Sequence, residues 1–135
     1  MSDKAFFDSN IFIYAFSKQD IKKGDIALAL LKDSEPIVST QVLSECANVF
    51  IKKGSWSFGK AKKALDSIKK FCNVVIVNEE LIDFALKLAE KYGYSYYDSQ
   101  ILAVGISAKC EILYSEDMQD GQIVEGLKIV NPFKR

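Results

Sequence analysis

The sequence contains no histidine. That absence removes a histidine general base, a histidine nucleophile and any imidazole metal ligand. Cysteine is scarce as well. Cys46, Cys72 and Cys110 lie far apart, with no CxxC pair, and an odd, scattered set in apolar surroundings is expected to be buried thiols in a reducing compartment rather than a redox or zinc site. Charge of one sign is also missing, because 18 basic and 18 acidic residues cancel to a net charge of zero. A globally basic nucleic-acid binder is therefore not indicated, and any such role has to come from a local patch. No apolar run approaches the roughly 18 residues of a membrane span, and the first residues do not have the pattern of a signal peptide. A protein of the cytoplasm with no membrane partner is the expectation. No repeat, low-complexity segment or linker interrupts the chain.

What is present is enough for one core. The 135 residues, 49% of them hydrophobic, suit a single domain over 1–135. "KAFF" is a short apolar run stopped by polar residues, as a buried strand would be. A short helix over 10–17 and a longer one in "IKKGDIALALLKD", with Gly24 loosening its start, follow. "EPIVST" combines a helix-blocking proline with β-branched residues and predicts a second strand. "TQVLSECANVFIKK" predicts a helix capped by Thr40, and the pattern breaks at Gly54 before resuming as a helix that ends at "KKF". "NVVIV" is the third strand, "NEELIDFALKLAEKY" a helix ending before Gly93, and "DSQILAVGISAKC" another, carrying Cys110. "EILYS" and "LKIVNPF" supply strands four and five. Strands alternating with helices, often two helices per crossover, predict an α/β fold: a mostly parallel sheet of about five strands covered on both faces.

Four carboxylates fall at corresponding places in this pattern. Asp8 follows the first strand, Glu45 lies in the first turns of the helix after the second, Asp98 opens the apolar helix "DSQILAVGISAKC", and Asp117 follows the fourth strand. In an open α/β sheet the carboxyl ends of the strands share one edge, where ligands bind. Each acid has an ordinary explanation by itself. Asp8 and Asp98 suit helix N-caps, Glu45 at the margin of an apolar arc suits a surface residue beside the core, and Asp117 lies in an acidic loop. Taken together they predict convergence. Two like charges 4 Å apart repel by about 4 kcal/mol at an effective dielectric of 20, so the group needs a cation or a bound proton. All-oxygen ligands without imidazole or thiolate select Mg²⁺ or Mn²⁺.

With "FFDSNIFIYAF", "STQVLSECANVF", "YYDSQILAVG" and "LYSEDMQDG" followed by "IVNPF", the chain resembles the PIN-domain ribonucleases, more narrowly the VapC-type toxins of bacterial toxin–antitoxin pairs. The resemblance implies a three-layer α/β/α fold, a homodimer, a VapB-like antitoxin partner and an RNA substrate. It implies that Asp8, Glu45, Asp98 and Asp117 form the acidic, metal-holding catalytic site, with Ser9, Asn10 and Ser115 beside it and Asp120 as supporter or alternative to Asp117. The expected reaction is hydrolysis of an RNA phosphodiester by metal-activated water, leaving 5′-phosphate and 3′-hydroxyl ends. The missing histidines agree, since a metal-free route through the 2′-hydroxyl usually needs a histidine pair. An inactive PIN-like module that only binds RNA or protein is the alternative.

RNA beside four carboxylates requires positive charge nearby. The stretch from Lys52 to Lys70 supplies it, with Lys52, Lys53, Lys60, Lys62 and Lys63 the candidate contacts and Trp56 a candidate stacking platform. Three readings of this stretch stay open: an RNA surface, a solvated lysine face with Trp56 and Phe58 packed inward, or a docking surface for the antitoxin.

Overall fold

The computed structural model describes residues 3–134. It contains six strands and six helices in the order β1 (Lys4–Phe7), α1 (Ser9–Phe16), α2 (Ile21–Asp33), β2 (Glu35–Ser39), α3 (Thr40–Lys52), α4 (Phe58–Phe71), β3 (Asn73–Val75), α5 (Glu79–Tyr92), α6 (Tyr96–Ser107), β4 (Ile112–Tyr114), β5 (Ile123–Val124) and β6 (Leu127–Val130). The sheet runs β3-β2-β1-β4-β6-β5, parallel throughout except for the β5–β6 hairpin.

The chain steps from β1 outward to β2 and β3, then returns across the sheet to β4 on the other side of β1. Right-handed crossovers in opposite directions place their helices on opposite faces. Accordingly α1 to α4 pack as one layer and α5 with α6 as the other. The reversal falls between β1 and β4, so the chain leaving these two neighbouring strands opens a crevice at their carboxyl ends.

Each helix starts on a side chain that accepts one of its unpaired backbone N–H groups: Asp8, Asp20, Ser39, Ser57, Asn78 and Ser95. α6 is the central helix, with every residue from Ser99 to Gly105 buried, and it packs against the sheet where Phe6, Leu113, Leu127 and Ile129 form the core.

Several details differ from the sequence expectation. There are six strands because β5, only two residues long, has no readable periodicity. It is made by a tight hairpin in which Glu125 and Gly126 both take positive φ, the conformation of a two-residue primed turn. β3 ends at Val75 rather than continuing through "IV", because the Val77 N–H leaves the ladder to bond the Thr40 hydroxyl at 3.2 Å. That engagement accompanies a shift of the α3 cap from Thr40 to Ser39, whose hydroxyl accepts from the Val42 N–H. α6 begins two residues before Asp98, since Ser95 is its cap, and ends at Ser107, so Cys110 lies beyond the helix. Gly24 does not loosen α2. It is buried, at a close approach of α2 to α1. All three cysteines are free and buried. Among the described residues no helix is long and apolar enough to cross a membrane.

Candidate active site

Asp8 sits where β1 gives way to α1, and its backbone N–H continues the sheet by bonding the Tyr114 carbonyl at 3.0 Å. Its side chain is 5% exposed. One carboxylate oxygen accepts the Ser9 N–H and the other the Ser115 hydroxyl, each at 2.7 Å. Asp8 is therefore both the helix cap and a member of the acidic group, two readings the sequence leaves as alternatives. Its pKa is raised from 3.8 to about 6, by burial first and by repulsion from Glu45 and Asp98, while the bonds from Ser115 and Ser9 act to lower it.

Glu45 projects from α3, half-buried, and accepts from the Gln41 amide at 3.3 Å. Its pKa is raised, first by burial and then by Asp98. Asp98 is the third residue of α6, where its own N–H goes to Ser95 at 3.2 Å and its carboxylate lies near the positive end of the helix. Burial raises its pKa and Asp117 adds to the rise. Asp117, exposed in the loop after β4, accepts from the Asn10 amide at 3.1 Å, while the Asn10 carbonyl oxygen accepts the Glu116 N–H at 3.3 Å. The Ser115 hydroxyl also accepts the Asp117 N–H at 3.3 Å. Asn10 and Ser115 thus hold the β4 loop against α1.

The structure brings Asp8, Glu45, Asp98 and Asp117 to one rim, each acting on at least one other. As they stand, no three acidic, histidine or cysteine side chains among the described residues close into a cage for an ion. Glu45 and Asp117 each accept instead from an amide, of Gln41 and Asn10. The donor chemistry nevertheless fits a hard cation. Every available donor is oxygen, and the Cys46 thiol, 3.8 Å from the Ser9 carbonyl, is kept protonated by burial. Asp120 does not join the rim: its carboxylate accepts the Asn131 N–H at 2.8 Å and faces Lys134.

Two clefts flank the acids. One, of about 260 Å³, includes Ser9, Asn10, Tyr14, Lys53 and Asp117; the other, of about 510 Å³, includes Thr40, Gln41, Ser44, Glu45 and Tyr97. Of the lysine-rich stretch, Lys53 reaches the first cleft. Lys52 is exposed at the end of α3, and Lys60, Lys62 and Lys63 are exposed on α4. Lys62 pairs with Asp66 at 2.6 Å. Trp56 stacks on Phe50, ring centroids 4.3 Å apart and 7° from parallel, and Lys60 Nζ lies 4.1 Å from its ring. Trp56 is packed inward, as one of the open readings has it, whereas Phe58 is exposed.

Sequence reasoning passed over two polar groups. Gln41 and Gln100 pair across 59 residues beside Glu45; the only local signal was Gln41 standing one turn before Glu45. Lys23, Glu116 and Tyr14 form an ion pair with a phenol at its side, next to Asp117.

Comparison with known proteins bears on the fold. Among solved structures the chain is similar to one chain of a toxin–antitoxin complex from Klebsiella pneumoniae, at 22% identity and a TM-score of 0.74, covering 98% of this chain and 100% of the other. It is similar to VapC20 of Mycobacterium tuberculosis, a sarcin-ricin loop cleaving toxin, at 18% identity and a TM-score of 0.69, covering 82% and 87%. It also resembles a chain of VapBC2 from Rickettsia felis, solved bound to a promoter DNA fragment, at 17% identity and a TM-score of 0.67, covering 93% and 96%. No curated protein matches. The family model for the PIN domain matches residues 5–119, a span that holds all four rim acids, β4 and all of β1 but its first residue, and the chain belongs to the PIN-domain family.

Proposed function

We propose that this chain is a metal-dependent endoribonuclease, the toxin of a VapBC-type toxin–antitoxin pair. The observation that carries the reading is the meeting of four acids from four separate elements at the sheet's switch point, with burial first and repulsion from a neighbouring acid second raising the pKa of three of them. Such a constellation costs stability, so a structural role does not account for it.

In this reading Asp8, Glu45, Asp98 and Asp117 hold Mg²⁺ or Mn²⁺, which when bound would activate water and offset charge on the phosphate oxygens. Asp8 is fixed by Ser9 and Ser115 and serves as the rigid corner of the site. Glu45, half-buried and with its pKa lifted, is suited to accept the proton of the attacking water. Lys53, in the cleft with Asp117, supplies positive charge where the RNA backbone would pass. A VapB-like antitoxin belongs to the same reading, supported by the toxin–antitoxin complexes in which structural neighbours were solved, and a homodimer belongs to it through the family resemblance alone.

The test is cleavage of RNA with Mg²⁺ or Mn²⁺ by the wild type against Asp8→Asn and Asp98→Asn. Both variants should lose nearly all activity, and wild-type products should carry 5′-phosphate ends. Equal cleavage by wild type and variants, or a 2′,3′-cyclic phosphate product, would overturn the mechanism. Expression of the wild type should arrest growth, Asp8→Asn should not, and co-expression of the neighbouring small gene should relieve the arrest.

A further inference from the structure

Glu45 and Asp98 come from different helices, α3 and α6, so something has to set the gap between them. Three polar side chains run between these helices. The Tyr96 hydroxyl donates to Gln100 Oε1 at 2.8 Å, and Gln100 Nε2 donates to Gln41 Oε1 at 2.7 Å. Gln41 Nε2 then gives one proton to Glu45 Oε2 at 3.3 Å and the other to the Tyr97 carbonyl at 3.2 Å.

The direction of this chain is dictated by its end. An ionised carboxylate and a peptide carbonyl only accept, so the nitrogen of Gln41 must face them. Its oxygen then faces Gln100, which must present nitrogen in return, and the Gln100 oxygen is left for the tyrosine hydroxyl. Each amide is locked by the next, and Gln100 is only 7% exposed, so water does not readily compete for its bonds. The last link ties Glu45 to the carbonyl directly before Asp98 in the chain.

We propose that Gln41, held in one orientation by Gln100 and Tyr96, is a positioning residue that sets the Glu45 carboxylate relative to Asp98. The proposal rests on the reading of the rim acids as one catalytic, cation-holding site. Supporting partners of this kind typically contribute ~10–100-fold in metal affinity or activity. If the chain merely satisfied buried polar groups, its loss would lower the melting temperature and leave the site's affinity alone.

Three variants separate the possibilities. Tyr96→Phe deletes the starting donor and keeps the ring. Gln100→Met keeps the side-chain length and deletes both central links. Gln41→Met deletes the contact with Glu45. In the metal-free protein, ¹⁵N-edited spectra should show the Gln41 side-chain amide shifted by Tyr96→Phe, two links away. Calorimetry with Mn²⁺ should show ~10-fold weaker binding in Gln41→Met and Gln100→Met. RNA cleavage should show a lower kcat with KM nearly unchanged, because the RNA surface is untouched. An unmoved Gln41 amide in Tyr96→Phe would overturn the chain of bonds. Unchanged Mn²⁺ affinity and kcat in Gln41→Met, beside a wild type that binds Mn²⁺ and cuts RNA, would overturn the positioning role alone. A wild type that takes up no Mn²⁺ would overturn the catalytic reading, and the positioning role with it.

Discussion

Asp8 and Ser115, 107 residues apart, meet through a 2.7 Å hydrogen bond in which the hydroxyl donates and the carboxylate accepts. Ser115 is wholly buried and Asp8 nearly so. The same hydroxyl accepts the Asp117 N–H, so one side chain links the acid of β1 to the loop of β4 across the crevice. Asp8 is thereby hydrogen-bonded yet poorly solvated, and its charge is costly until something positive sits beside it.

That cost should be visible as a pH dependence. The Asp8 pKa is about 6 in the folded chain against 3.8 for the ordinary group. Between these values the native state keeps a proton that the unfolded chain has released, so stability falls as pH rises through the window. Glu45 and Asp98, raised for the same reason, act in the same sense. Two pKa units correspond to about 3 kcal/mol, an upper figure for Asp8. In chelator, the wild type should resist urea better at pH 5 than at pH 7.5. Asp8→Asn, whose amide can still accept from Ser9 and donate to Ser115, should flatten the profile and be the more stable protein at pH 7.5 while losing activity. A flat wild-type profile would contradict a buried, unneutralised Asp8.

The reach of the sequence follows from range. Strand–helix alternation and helix caps are local, and "KAFF" before Asp8 or "EPIVS" before the Glu45 helix were legible for that reason. The common rim of Asp8, Glu45 and Asp117 follows from their all lying just past parallel strands, a topological rule. β5 was not legible, because two residues carry no period. The Ser39 cap was hidden by Thr40, an equally good capping residue one position on, whose hydroxyl turned out to be engaged by Val77. Gln41 with Gln100, and Asn10 with Asp117, are pairs between residues 59 and 107 positions apart. Nothing in the composition of either segment announces its partner: the acids could be anticipated, and Asn10 placed beside them by resemblance, but neither the bond from Asn10 to Asp117 nor the pairing of Gln41 with Gln100 could.

Gly24 supplies a test of packing that is independent of the chemistry. A Cβ there would lie 2.9 Å from the Tyr14 carbonyl oxygen, a backbone atom that moves only with α1. Alanine should gain up to about 1 kcal/mol in helix propensity but incur about 1–3 kcal/mol of overpacking. Gly24→Ala is therefore expected to lower stability on balance. Gly59, in the first turn of α4 with nothing within 4 Å of its would-be Cβ, is the control, and Gly59→Ala should leave stability unchanged or raised. Urea midpoints of the two variants decide the matter, and a stabilised Gly24→Ala would mean that α1 and α2 are less closely apposed.

The two lysines Lys53 and Lys62 distinguish a specific RNA path from a generally basic face. Lys53 lines the cleft that contains Asn10 and Asp117, so an RNA strand entering the acidic rim from that side would pass it. Lys62 is exposed on α4 with its charge already offset by Asp66. A phosphate contact on single-stranded nucleic acid adds about 0.7 to the slope of log affinity against log salt. Lys53→Ala should therefore raise KM several-fold at low salt, reduce that slope by about 0.7 and leave kcat close to wild type, since Lys53 holds no reacting group. Lys62→Ala should leave KM and slope close to wild type, because Lys62 lines neither cleft beside the acids and Lys69, 3.3 Å from Asp66, still pairs with that carboxylate. Steady-state cleavage of one RNA at three or four salt concentrations measures all of these quantities together. Matching losses in both variants would place the RNA along the outer face of α4 and remove the cleft from its path, whereas a loss confined to Lys53→Ala would tie substrate binding to the groove that ends at Asp117.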